Sequence, residues 1–347
     1  MTTNNLSGRA GTPEKTANPL PVGADGGKVA ELFSFAGVAC EAVRSVESPA
    51  AYTHYLRILN PLNLRRLKSA VEIVEYKLRA VVVCRRLTAA DDEPTADFIA
   101  TIDKPKADVI GWGEHKNVLT KYEYLIGVDL YNKPVKIDLD EIPHLLIAGA
   151  SGAGKSVALH TIIDSLMQKP NVTGKDLAFA FIDTKQTELT QYGGSKFLAC
   201  PVATTYIQAV EILHACLRKM SERYGRMAQE NKTKCKDGHI VVVIDELADL
   251  MMQGKQVVEP LIVKIAQQGR AANIHLIVAT QRPTVDVCTG HIKANIPARL
   301  ALMTASARDS MNIIDRKGAE TLRGKGDAVL RLPSEQELKR LQVFCKK

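Results

Sequence analysis

The sequence of 347 residues contains one tryptophan, Trp112, and only 5% aromatic residues. That scarcity argues against a protein that grips single-stranded nucleic acid by stacking successive bases on rings. No apolar run approaches the roughly 20 residues that span a bilayer. The N-terminus lacks the apolar core of a secretory signal. A soluble, cytoplasmic protein with no membrane span is therefore expected. The seven cysteines, Cys40, Cys84, Cys200, Cys216, Cys235, Cys288 and Cys345, are odd in number and form no CxxC pair. Reduced thiols fit this spacing better than a disulfide frame or a zinc site. Internal repeats and low-complexity runs are also missing. An acidic excess is missing too, since 46 Lys and Arg against 38 Asp and Glu leave a formal net charge of +8. A basic balance favours an anionic partner such as nucleic acid, although many soluble proteins carry an excess of this size.

The 46% of hydrophobic residues are ample for a buried core. The length suits one large domain with a smaller one. Residues 1–27 are rich in Gly, Pro, Thr, Asn and Ala without apolar periodicity, which reads as a disordered tail. Residues 28–120 read as a small α+β domain. There Asn63 is placed to cap a helix whose face carries Leu64, Leu67, Val71, Val74 and Leu78. A strand over 80–83, a turn over 88–95 and a returning strand over 98–102 follow, broken by Lys104-Pro105-Lys106. The basic residues of that helix read as a solvated face rather than a DNA patch. From residue 121 to 347 short apolar strands alternate with longer helical stretches. Strands are expected at 144–148, 177–182, 240–244 and 274–279, with helices at 155–168, 205–229 and 257–270. That alternation indicates an α/β fold with a mainly parallel sheet covered on both faces.

The strand at 144–148 runs into Gly149-Ala-Ser-Gly-Ala-Gly-Lys-Ser156, which opens a helix. A Gly-x-x-x-x-Gly-Lys-Ser sequence in that context is a phosphate-binding loop. Its glycines let backbone N–H groups wrap a polyphosphate, and the helix N-terminus adds a favourable dipole. The cofactor-binding residues are Gly149, Ala150, Ser151, Gly152, Ala153, Gly154, Lys155, Ser156 and Val157. Lys155 should reach the β- and γ-phosphates of ATP, and Ser156 should ligate Mg²⁺. The strand Val241–Ile244 ends in Asp245-Glu246, placed at the carboxyl edge of the sheet where ligands bind in open α/β folds. Asp245 suits the metal and Glu246 suits a general base on the attacking water, which favours hydrolysis over mere binding. Gln281, just past another strand, is either a γ-phosphate sensor or an ordinary solvated strand end.

These stretches resemble the motor domain of the FtsK/SpoIIIE DNA translocases. The resemblance covers about Leu125 to Leu332. It takes in Pro143-His-Leu-Leu-Ile-Ala-Gly149, the phosphate loop, Ile182-Asp-Thr-Lys-Gln-Thr-Glu-Leu189 and Ile244-Asp-Glu-Leu-Ala-Asp-Leu-Met-Met252. It continues through Ile265-Ala-Gln-Gln-Gly-Arg-Ala-Ala-Asn-Ile-His275, Ala279-Thr-Gln-Arg-Pro-Thr-Val-Asp286, Ile292-Lys-Ala-Asn-Ile-Pro-Ala-Arg299 and Gly324-Lys-Gly-Asp327. The region before it looks like a shortened form of the family's smaller domain.

The resemblance implies a RecA-like P-loop NTPase fold, a homo-hexameric ring and ATP-driven movement of double-stranded DNA through its pore. It places Arg270 where the family has an arginine finger that completes a neighbour's site; the alternative is a helix-end arginine satisfying carbonyls. It places Arg282 and Lys293 at basic positions turned toward DNA, suited to phosphate contact without sequence reading; the residues by themselves read as surface cations. One segment departs from the pattern. The family's Lys and later Arg are replaced by Ala307 and Met311, and Arg308 lies one residue after the first, where it can substitute. The winged-helix module and membrane region of the family are not seen. A compact motor serving a plasmid, phage or conjugative element is the expectation, with a relaxase or other DNA-processing protein as a partner. Two other readings are a protein-secretion motor and an ATP-switched assembly factor.

Overall fold

The computed structural model describes residues 22–87, 95–104, 108, 110–111, 119–169 and 171–345. Residues 1–21 of the tail expected over 1–27, residues 88–94 of the turn, Pro105-Lys106 and Trp112 lie outside the described residues, while 22–27 hold a 3₁₀ turn (Val22–Ala24) and the start of a helix rather than tail. The chain falls into two compact units, one reaching to Ser45 and resuming over His54–Ile102, the other made of Val46–Thr53 and everything from Asp103 onward.

In the first unit, helix α1 (Gly26–Phe35) starts at Asp25, whose carboxylate accepts from the N–H groups of Gly27 and Lys28. Strands β1 (Cys40–Glu47) and β2 (Ala51–Ile58) precede helix α2 (Leu67–Leu78). Strands β3 (Val82–Arg86) and β4 (Phe98–Asp103) complete a four-stranded sheet of order β1-β2-β4-β3. Val29, Phe33, Leu56, Ala70, Val74 and Phe98 belong to its buried apolar core. Two expectations shift here. The cap is Asn60 rather than Asn63, because Pro61 fixes a short 3₁₀ turn over Pro61–Arg66 and the α-helix begins only at Leu67. The strand expected at 80–83 begins at Val82, because Arg79 ends α2 in the left-handed region at φ 51°.

The second unit is built on nine strands. They are β5 (Glu123–Asp129), β6 (Pro134–Asp138), β7 (His144–Ala148), β8 (Leu177–Ile182), β9 (His239–Ile244), β10 (Ile274–Thr280), β11 (Ala298–Leu302), β12 (Asp327–Arg331) and β13 (Lys339–Val343). Their order is β6-β5-β13-β12-β11-β7-β10-β9-β8. The run from β11 through β7, β10 and β9 to β8 is parallel, and the run from β11 to β6 is antiparallel. Every residue of β7 and β10 is buried, as parallel strands covered on both faces require. Leu145 and Ile147 pack on one face with Leu159, Ile162 and Ile163 of helix α3 (Lys155–Met167). Leu146 packs on the other face with helices α4 (Tyr206–Gln229) and α5 (Leu247–Gln268). Helices α6 (Gly290–Asn295) and α7 (Ala307–Ile314) flank β11 in the chain.

Helix α5 starts ten residues before the expected 257. Glu246 caps it by accepting from the N–H of Ala248, and the helix kinks at Gly254. A Cβ there would come within 1.9 Å of the Tyr206 hydroxyl, so the two helices meet only over a glycine. Among the described residues no helix is long and apolar enough to cross a membrane.

Three histidines line the amino edge of the parallel strands. His239 Nδ1 and His275 Nε2 lie 2.8 Å apart, and His144 Nδ1 accepts from the N–H of Leu276 at 3.0 Å. The first contact needs at least one neutral ring, because two imidazolium N–H groups cannot share one hydrogen bond, and the second needs a neutral His144, whose Nδ1 is the acceptor. Burial pushes His144 and His239 down to about 4, and burial with the neighbouring rings carries His275 well below its ordinary value. A depressed histidine pKa means that the unfolded chain takes up protons which the folded chain refuses. Stability is therefore present above pH 6.5 and drains away as pH falls toward 4. Urea denaturation should show a loss on the order of 1–2 kcal/mol for each of His144 and His239 between pH 6.5 and 5, above the range where carboxylates protonate, with His275 contributing in the same direction. A flat profile across that window would contradict neutral buried rings.

Candidate nucleotide-binding site

Strand β7 is central: the chain leaves it for the far strand β8 and returns through β9 and β10, then passes it to β11. The order therefore reverses at β7, and beyond the carboxyl end of such a switch point open α/β sheets form a ligand-binding crevice. The glycine-rich loop lies in this crevice. Its outer side is fastened by backbone alone: Gly149 N–H donates to Thr280 O at 3.3 Å, Ala150 N–H to Met303 O at 2.7 Å, and Gly326 N–H to Ala153 O at 2.8 Å. Gly154 has φ 111°, and a Cβ on it would come within 2.7 Å of Gly326 N. The turn pressing on it is fixed by buried Asp327, which binds Arg323 and Arg340. The inner side is different. The N–H groups of Ser151, Gly152, Gly154, Lys155, Ser156 and Val157 meet no acceptor among the described residues. Six unpaired donors at a helix N-terminus are chemically fitted to an anion.

Two carboxylates approach the start of α3. Lys155, buried, donates its ammonium to the main-chain oxygen of Asp245 at 2.7 Å and to the Asp245 carboxylate. Burial raises the Asp245 pKa, with Lys155 opposing it. Ser156 Oγ donates to Glu188 Oε1. Ser156 and Asp245 offer hard oxygen donors beside the anion cradle, which fits a divalent cation such as Mg²⁺, and the Glu188 carboxylate stands behind the Ser156 hydroxyl.

Glu246 lies at the end of β9 and is almost fully buried. Its Oε1 accepts from Thr280 Oγ1 at 2.6 Å and from Ala248 N–H at 3.3 Å, and Gln281 N–H reaches both oxygens. Its Oε2 faces Lys185 Nζ at 3.5 Å, and Lys185 also approaches Asp249 at 3.6 Å. Gln281 therefore enters the site through its backbone, while its half-buried side chain follows β10. Sequence reasoning missed Lys185, Glu188 and Thr280. All three belong to stretches quoted for the family resemblance, but no spacing rule singles them out. Asp183 builds the loop that carries the first two, its carboxylate accepting from the N–H groups of Thr187, Glu188, Leu189 and Thr190.

The remaining basic residues are not at this site. Arg270 is exposed at the opposite edge of the sheet, its Nε donating to Asp140 O at 3.0 Å. Strand β10 lies between it and the carboxyl edge, a span of about 20 Å at 3.3 Å per residue. Arg282 is exposed directly after β10 and reaches the Met252 sulfur at 3.5 Å. Arg308 is exposed on the first turn of α7. Lys293 is engaged with Asp315 at 2.7 Å, and Asp315 also takes Arg299 and Arg331. Burial disfavours the charge on Asp315, but hydrogen bonds from Lys293 and Arg299 outweigh it and hold the pKa down to about 2.

The sequence profile of the FtsK/SpoIIIE family matches residues 112–239 and 226–285 of the chain. The chain belongs to the FtsK/SpoIIIE family. Relatives include the DNA translocase FtsK of Leptospira interrogans, 42% identical over 238 residues, which are 63% of this chain and 25% of that protein. The Haemophilus influenzae DNA translocase FtsK is 37% identical over 303 residues, 75% of this chain and 57% of the relative. The chain thus spans between a quarter and somewhat over half of these relatives' length. Among solved structures, the pCW3 conjugation coupling protein TcpA, in its monomer form with ATPγS, superposes with a TM-score of 0.60. Its identity is 21%, over 94% of this chain and 95% of that one. The cytoplasmic domain of the type VII secretion ATPase EccC from Thermomonospora curvata gives 0.57 at 22% identity, over 65% and 29%. At such identities these likenesses speak for the fold, which is the P-loop ATPase architecture implied by the family resemblance.

The backbone fit at Gly154 has a direct consequence. Gly154→Ala should force the loop off the Gly326 turn at a cost of about 1–3 kcal/mol in strain. Nucleotide affinity measured by fluorescence titration should fall at least about tenfold, while the far-ultraviolet circular dichroism stays native. Unchanged affinity would mean that the loop does not need this left-handed conformation to bind.

Proposed function

We propose that the chain is an ATP-hydrolysing motor that moves double-stranded DNA. The observation that carries this reading is the anion cradle at residues 149–157 joined through Lys155 to Asp245-Glu246, in a chain of the FtsK/SpoIIIE family. Its curated relatives bear the name DNA translocase. The boundaries proposed for its parts are a tail ending before Val22 instead of at residue 27, a small α+β domain from there to 120 and a RecA-like motor over 121–347. Cytoplasmic placement belongs to the same reading.

Each residue has a physical task. Lys155 leaves Asp245 for the β- and γ-phosphates, and the vacated carboxylate joins Ser156 in holding Mg²⁺. The metal, when bound, neutralises phosphate charge and orients the terminal phosphoryl group. Glu246 is anchored mainly through Oε1, by Thr280 and Ala248, so Oε2, which shares the Gln281 N–H and faces Lys185, is the oxygen proposed to draw a proton from water once Lys185 turns to the phosphates. Gln281 follows the γ-phosphate through its side chain, and its backbone ties any displacement of β10 to Glu246. Arg270 stands a sheet's width from its own loop, which supports a role at the γ-phosphate of a neighbouring copy and hence a ring, hexameric on the family pattern. Arg282 and Arg308 supply exposed charge for the DNA backbone. Lys293 joins them only after release from Asp315. The superposition on a conjugation coupling protein concerns the fold. Transfer of a plasmid, phage or conjugative DNA, with a relaxase as partner, remains the biological setting proposed for the motor.

Lys155→Ala should lose hydrolysis to background, and duplex DNA should stimulate the intact protein less as salt rises from about 50 to 200 mM. Phosphate release without any response to duplex DNA at low salt would defeat the translocase reading while leaving an ATPase. Mixing tests the shared site. Lys155→Ala and Arg270→Ala, each inactive alone, should regain hydrolysis together, because a mixed ring contains interfaces with both residues intact. No recovery at any mixing ratio would place Arg270 outside the reaction.

A further inference from the structure

Glu188 has no task in the machinery described above, yet it is held from three sides. Its backbone N–H donates to Asp183 at 3.0 Å, and its backbone oxygen accepts from Gln191 Nε2 at 2.8 Å. Its Oε2 lies 3.1 Å from His160 Nε2, and His160 Nδ1 lies 2.9 Å from the Tyr192 hydroxyl. Tyr192 in turn donates to Asp164 at 3.2 Å. His160 and Asp164 both stand on α3, the helix that Lys155 and Ser156 begin. The chain of contacts therefore ties Glu188 to the same rigid element as the residue it serves. Its Oε1 accepts the proton of Ser156 Oγ.

A hydroxyl that ligates a cation does so through an oxygen lone pair and keeps its proton. That proton needs an acceptor on the far side, or the lone pair swings away from the metal. The other nearby carboxylate, Asp245, is turned to Lys155. We propose that Glu188 is the positioning residue for Ser156: it takes the hydroxyl proton, aims the lone pair at Mg²⁺ and adds a negative charge behind the ligand. This rests on the reading of the site as one for Mg²⁺ and nucleotide. The residues that orient metal ligands in this way are worth about 10–100-fold in metal affinity in proteins generally.

The test measures metal dependence rather than turnover. A fluorescent ADP analogue is titrated into the full chain in EDTA, then at rising Mg²⁺. Glu188→Ala should leave affinity in EDTA within about twofold of the parent and raise the Mg²⁺ needed for half-maximal tightening about tenfold. Glu188→Gln should recover most of that loss, because its amide oxygen still accepts from Ser156. In a double-mutant cycle, adding Glu188→Ala to Ser156→Ala should cost nothing further, since one residue acts through the other. An unchanged Mg²⁺ requirement in Glu188→Ala overturns the proposal, as do additive effects in the cycle or equal losses in EDTA. A parent protein that binds the analogue without any response to Mg²⁺ would instead defeat the metal site itself.

Discussion

The ion pair between Lys155 and Asp245 is the contact on which the site depends. It joins the first residue of α3 to the end of β9, although β10 lies between β9 and the strand that feeds α3. Both partners are almost entirely buried. Taking two charges out of water is expensive, and a pair of apolar residues would stabilise the fold at least as well. The pair makes sense as a held charge. The lysine already faces the crevice, desolvated and oriented, so a phosphate that draws it away meets a cation with little reorganisation left to pay.

Around this pair the loop over 183–190 gathers the remaining control of the site. Asp183 folds it by accepting four backbone N–H groups, and the loop then delivers Lys185 to Glu246 and Glu188 to Ser156. One short segment thus touches both the residue suited to activating water and the residue suited to holding metal. Movement of this loop would alter both at once. A nucleotide in the crevice would meet two cations, Lys155 and Lys185, each resting on an acidic partner.

What the sequence reveals of this follows from distance along the chain. Strands β7, β8, β9 and β10 are continuous apolar runs because both faces are covered, and such runs are visible without a structure. The antiparallel wing is harder to see. Its strands β6 and β13 are five residues each and carry Lys136, Lys339 and Arg340 on partly open faces. The early start of α5 is hidden by Gly254, which interrupts the helical period and is required by contact with Tyr206. In the site, the phosphate loop and Asp245-Glu246 are local motifs with their chemistry written in adjacent residues. Glu188 stands 32 residues from Ser156 and meets it only through the fold. Lys293 shows the opposite failure: its type suggests a free cation, and a tertiary neighbour, Asp315, claims it.

The placement of Arg270 follows from the same sheet. In a parallel arrangement all carboxyl ends lie on one edge, so the loops that bind nucleotide gather there and the segments leading into strands gather at the other. Arg270 precedes β10 and so is confined to the amino edge, beside the buried histidines and Asp140. No side-chain rotation carries a guanidinium across a sheet. An arginine at that edge therefore either serves its local carbonyl or meets a phosphate that another copy of the chain presents. On the second alternative, each hydrolysis site reports whether its neighbour is in place. Such a contact is head-to-tail, and it closes into a ring where its rotation returns to the first copy, with no need for the subunits to change fold.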